Sequence, residues 1–245
     1  MAFTQSTSTA SNVAFVNYSA TLGMLFLASK ENLAVLNECK AFIGPEDWKK
    51  GFTGMDDFES TTAKARKFMS ERGVRSGSVS GFITKIEAHE HKDGSQVNHY
   101  LRLSLNDLEG ATTNVSLDMS NDGTQHLVRK LAVVHPGEFV DFSVFAMLSK
   151  PSASGKRYGN HYAKVDAGVH PGALQKVEGI DIRNELIPAQ ENAKNQCADA
   201  GFTDVKLVNA AKDNASLQYH LKLVAEMEAR LLAHNADAQA AHEHA

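Results

Sequence analysis

Residues 78–90, SVSGFITKIEAHE, place Val79, Gly81 and Ile83 on one side of an extended chain and Ser80, Phe82 and Thr84 on the other, the alternation of a half-buried β-strand. Two further stretches keep that period. HYLRLSLNDL at 99–108 turns Leu101, Leu103 and Leu105 inward and Tyr100, Arg102 and Ser104 outward, and Thr112–Met119 buries Val115, Leu117 and Met119. Asp93-Gly94 and Glu109-Gly110 supply turn chemistry between them, so the three strands read as a meander.

The period then changes. Asp122–Val134, DGTQHLVRKLAVV, repeats Leu127, Leu131 and Val134 at helical spacing, and Pro136-Gly137 stops the helix. Glu138–Leu148 returns to alternation, with Val140, Phe142, Val144 and Ala146 on one side and Phe139, Asp141, Ser143, Phe145 and Met147 on the other. After a long loop, His161–Ala167 gives a fifth strand with Ala163 and Val165 inward. Three strands, a helix and two strands resemble the OB-fold, a five-stranded Greek-key barrel that binds oligonucleotides or oligosaccharides. QHLVRKLAVVHPGEFVDFSVF at 125–145 is similar to bacteriophage single-stranded DNA-binding proteins with such a core. The resemblance covers Ser76 to Gly168. It implies an α+β chain: a five-stranded OB-like Greek-key β-barrel with N-terminal and C-terminal helical additions.

Around that core, residues 1–12 are rich in Ser and Thr and read as a disordered arm. Residues 13–75 form a mostly helical extension. Val13–Leu27 suits either a strand or a buried helix in its first half; Lys30–Phe42 and Asp57–Arg72 read as helices, the latter with Phe58, Ala65, Phe68 and Met69 available to pack. Residues 169–233 form a C-terminal extension, with a helix at Ala189–Ala200, a short strand at Val205–Val208 and a helix at Ser216–Ala233 carrying Leu217, Leu221, Val224, Glu228 and Leu231 along one face. Residues 234–245, HNADAQAAHEHA, read as a mobile tail.

The 245 residues carry 42% hydrophobic and 22% charged side chains and a net charge of −4, an ordinary globular balance that removes global basicity as an argument for nucleic acid. The acidic surplus lies beyond Gly168. Two distant cysteines, Cys39 and Cys197, argue against a disulfide framework and for a reducing cytoplasm, that of a bacterial host if the chain is phage-encoded. The apolar run Thr21–Ala28 is too short to span a bilayer, so no membrane role is expected.

The chemistry concentrates in KPSASGKRYGNHYAK at 150–164, where Lys150, Lys156, Arg157 and Lys164 meet no acid in the stretch and Tyr158 and Tyr162 are interleaved. Cations that follow phosphates beside rings that stack on bases are what a single strand requires; a solvated hairpin is the alternative. Phe82, Tyr100, Arg102, Phe145 and Tyr162 belong to one outward platform if the strands keep register, or to the core if they slip by one residue. Lys85 adds a phosphate contact, and Arg129-Lys130 either another or a wet helix face. His89, His91 and His99 around the first hairpin suit either a metal or a polar surface.

No Walker loop, GxSxG, HExxH or GxGxxG occurs, and no carboxylate pair stands out. The expectation is therefore a non-catalytic protein without cofactors that shelters single-stranded DNA in replication, recombination or repair with little sequence preference. It would self-associate along the strand or meet replication and recombination proteins. The alternatives are an OB-like interaction or assembly module and a metal-dependent nuclease using His89 and His91.

Overall fold

The computed structural model describes residues 13–243, so the expected arm at 1–12 lies outside the described residues. The described residues open with a hairpin, β1 (Val13–Ser19) and β2 (Met24–Leu27), followed by α1 (Lys30–Ile43), the single turn α2 (Pro45–Trp48) and α3 (Thr61–Glu71). Then come β3 (Val79–Asp93), β4 (Gln96–Asn106), β5 (Thr112–Asp118), α4 (Asp122–Leu131), β6 (Phe139–Leu148) and β7 (Gly159–Gly168). A short β8 (Gln175–Lys176), α5 (Leu186–Asp199) and α6 (Val205–Glu243) complete it.

The three-strand, helix, two-strand order holds, but the barrel does not. The eight strands among the described residues belong to one mixed sheet in the order β2-β1-β5-β4-β3-β6-β7-β8, which overturns the five-stranded OB-like Greek-key barrel while keeping the α+β class. The edge of β5 that a closing strand would need is taken by β1, which pairs with it in parallel, Phe15 opposite Asn114 and Asn17 opposite Ser116. β7 instead stays a hairpin partner of β6 along its whole length and passes its other edge to β8. The sheet curls until β2 touches β6 at one bridge, Met24 opposite Phe145.

The ambiguity at 13–27 resolves as strand because β-branched and aromatic residues alternate there: Val16 is buried while Val13 and Phe15 face solvent. Ser29, Ser60 and Asn121 cap α1, α3 and α4, each side chain accepting a backbone N–H of the first turn. The Ser60 cap starts α3 after Phe58, so that ring is left outside the helix.

One face of the sheet is sealed. Leu101, Leu103, Leu105, Val115, Leu117, Val140, Phe142, Val144 and Val165 are buried beneath Leu127, Val128 and Leu131 of α4 and Tyr219, Leu223, Val224, Met227 and Leu231 of α6. Each such side chain contributes roughly 1.5–3 kcal/mol on leaving water. The buried stripe of α6 is rotated from the expected one: Leu217 and Leu221 reach it only from its margin. α6 also begins where a short strand was expected and runs as helix through 234–243, where a mobile tail was expected. Alanine, the best helix former, is frequent there.

A smaller core joins β2 to α1 and α3 through Leu22, Met24, Phe26, Leu36, Cys39, Ala65 and Met69. Arg66 pins it to the sheet, donating to the Leu22 carbonyl at 2.6 Å and the Gly23 carbonyl at 2.9 Å. Gly23 itself has φ +58°, and a Cβ there would sit 2.7 Å from both Ala146 Cβ and Phe52 Cδ2. Gly23→Ala therefore combines left-handed strain with overpacking and is expected to cost about 2–4 kcal/mol. Chemical denaturation should show a lower midpoint with an unchanged slope; a midpoint equal to wild type would refute this packing.

Candidate nucleic-acid interface

The unsealed face of β1, β5, β4 and β3 carries a groove of about 420 Å³ lined by Phe15, Asn17, Lys85, Arg102, Ser104 and Asn114, among others. Its rows follow from strand register. Asn17, Ser116, Arg102 and Glu87 lie side by side across four strands, and Phe15, Asn114, Ser104 and Lys85 form the row beside them. Ser104 Oγ donates to Asn114 Oδ1 at 2.7 Å, fixing the floor. Phe15 is 57% exposed, an aromatic face presented to solvent on a rigid strand.

A β-bulge decides the fate of Lys85. Strict alternation from Val79 would send Lys85 inward, but the register shifts between Ile83 and Lys85, so Ile86 becomes the buried residue and Lys85 faces out opposite Ser104. Thr84 Oγ1 donates to the Ser104 carbonyl at 3.1 Å beside the irregularity. Tyr100 and Arg102 take the outward positions that Leu101 and Leu103 leave them, Tyr100 opposite His89 and Asp118.

The expected single platform divides in two. Phe82 is spent on packing, edge-on to Phe139 at 5.2 Å. Phe145 and Tyr162 are cross-strand neighbours 6.1 Å apart, but they lie beyond the Phe82–Phe139 row and the Ser80–Asp141–Asp166 row, away from Arg102. His126 stands edge-on to Tyr162 at 5.9 Å. Lys164 is outward on β7 near this second patch.

The basic loop continues the β6–β7 hairpin as an ordered turn: Ser149 N–H donates to the Tyr158 carbonyl and Ser152 N–H to the Lys156 carbonyl, both at 2.8 Å. Gly155, with φ +74°, makes the reversal. Tyr158 is 60% exposed. Two of its cations, expected to be unopposed, have carboxylates: Arg157 Nη1 meets Asp56 at 3.0 Å and Lys164 Nζ meets Asp166 at 2.6 Å. Lys150 and Lys156 are exposed and make no ion pair among the described residues. Arg129-Lys130 is not a phosphate contact in this fold, since Lys130 is buried and donates to the Val177 carbonyl at 2.7 Å while Arg129 is half-buried.

Register also separates the histidines. His89 and His91 share one face of β3 while His99 stands opposite Glu90 on the other, and no cluster that could hold a metal ion occurs among the described residues. No helix among them is long and apolar enough to cross a membrane. Sequence reading missed Phe15 because the apolar run after it masked the alternation of 13–19. Compared with protein-family models, curated proteins and solved structures, the chain matches none.

Three neutral histidines brace the back of this surface. His126 Nδ1 accepts the Ala163 N–H at 3.0 Å on the edge of β7, and burial, then Arg129 and Lys130, lowers its pKa to about 4. His220 is fully buried on α6, its Nδ1 2.7 Å from the Ser216 carbonyl, and burial likewise lowers it to about 4. His161, also lowered by burial, has Nδ1 2.6 Å from the hydroxyl of Tyr18, a phenol that burial keeps protonated. These bases bind protons more readily unfolded, where the value is near 6.5, than folded. Stability is thus full above about pH 6.5 and lost as pH falls toward 4, for His220 by about 1.4 kcal/mol per unit at most. Thermal melts between pH 7 and 4 should show a falling midpoint, flatter in His220→Gln; equal slopes would remove His220 from this role.

Proposed function

We propose that this protein binds single-stranded DNA, without catalysis and with little sequence preference, on the outer face of β1, β5, β4 and β3. The observation that carries the reading is the groove joining an exposed aromatic ring, Phe15, to two cations, Arg102 and a Lys85 that Glu87 pairs at 2.8 Å, over a floor of hydroxyls and amides. Bases stack on such rings for about 1–3 kcal/mol each, cations follow the phosphates, and the amides and hydroxyls take the remaining polar edges. The β6–β7 loop, with Lys150, Lys156, Arg157 and Tyr158, lengthens the path, and Phe145 and Tyr162 offer a second stacking patch. Bound strands would be sheltered from nucleases and re-pairing during replication, recombination or repair, in the cytoplasm of the host cell if the chain is phage-encoded.

A second reading, an interaction or assembly module, draws on a different surface. Between α1 and α3, Phe42 is 62% and Phe58 87% exposed beside a hollow of about 830 Å³. Exposed rings of that size commonly meet protein partners.

Fluorescent oligo-dT, oligo-U and a matched duplex at low and moderate salt separate the readings. The strand-binding function predicts preference for oligo-dT over duplex, weakening with salt, and a roughly tenfold loss in Phe15→Ala or Arg102→Ala. Absence of binding to every oligonucleotide at low salt would refute it and leave the partner reading.

A further inference from the structure

Every cation that the sheet face presents directly, apart from Arg102, already holds a carboxylate. Lys85 Nζ lies 2.8 Å from Glu87 Oε2 and Lys164 Nζ 2.6 Å from Asp166 Oδ2. Both acids stand two residues along the same strand and hence on the same face. They are also the less exposed partners, at 27% and 17% against 59% and 60%, so the acids are the fixed members and the lysines the swinging ones. The third pair, Arg157 Nη1 to Asp56 Oδ2 at 3.0 Å, spans the chain, and there the acid is the more exposed partner, 76% against 41%, so its place is held by its loop and not by burial. The loop bearing Asp56 is held beside the β6–β7 hairpin by close backbone approach: a Cβ on Gly159 would come within 2.7 Å of the Phe52 carbonyl oxygen.

We infer that Asp56 and Glu87 occupy phosphate positions of the binding face and set its preference for single strands over duplex. The inference rests on the single-strand reading above. A phosphate gains Arg157 or Lys85 only by displacing the carboxylate, and the exchange is cheap because solvent-exposed ion pairs contribute little. The displaced acid stays on the face and repels neighbouring phosphates. That repulsion is small for a flexible single strand, which spaces its charges around the acid, and larger for a duplex, which carries one charge per roughly 1.7 Å of axis. Cations already neutralised internally release fewer counterions, so the salt dependence is shallower than the number of cations implies.

The test measures oligo-dT and duplex affinities for Asp56→Asn and Glu87→Gln, each in the wild-type background and with Arg157→Ala or Lys85→Ala respectively, and with Glu191→Gln on α5 as a remote control. Circular dichroism checks that each variant is folded. The expected result is about two- to fivefold tighter oligo-dT binding for each neutralised acid, a larger gain for duplex, and a steeper salt dependence. Each gain should shrink when the paired cation is absent, leaving only the part that comes from the acid's own repulsion of phosphates. Equal gains without that cation, or from Glu191→Gln, would overturn the exchange in favour of general charge. Unchanged affinities in variants that bind DNA would overturn it alone, whereas wild type and variants that all fail to bind would overturn the single-strand reading as well.

Discussion

The apolar seal of α4 and α6 over one face of the sheet is the constraint on which the rest depends. Leu101, Leu103, Leu105, Val115, Leu117 and Val165 are almost completely withdrawn from water, and Val224 and Leu127 close over them. A side chain alternating with these has only the other face to occupy. Arg102, Ser104, Asn114 and Ser116 are on the open surface because their neighbours are needed in the core, and the same pleat that buys stability orders the groove.

Two local departures from regular pairing complete that surface. The parallel insertion of β1 beside β5 widens the sheet and brings Phe15 next to Asn114, adding an aromatic ring to a row in which Ser104 and Asn114 are short and polar. The bulge before Lys85 reverses the facing of β3, exchanging an inward lysine for a buried Ile86. An unpaired ammonium in that core would have been untenable. The groove lies across the open rows that these two features complete.

Strand order, the helix at 122–131 and the inward leucines were readable from periodicity, because burial on one face imposes period two and a capped amphipathic segment imposes 3.6. Closure was not readable. A barrel and an open sheet bury the same residues, and the difference lies in which strand reaches the free edge of β5, a choice made by β1 from nearly a hundred residues upstream. Arg102 and Tyr100 kept their outward places for the reason given by Leu101 and Leu103, whereas Phe82 found a partner in Phe139 that alternation does not reveal. The acid facing Arg157 comes from Asp56, in a segment with no sequence signal linking it to the basic loop.

The most direct measurement is a map of backbone amide chemical-shift changes on adding oligo-dT to isotope-labelled protein. Binding on the open face predicts the largest changes at Phe15, Asn17, Lys85, Arg102, Ser104, Asn114 and Ser116, with smaller ones along 150–158 and little change in the middle of α6. Changes concentrated on α1 and α3 around Phe42 and Phe58, or spread along α4 and α6, would contradict it.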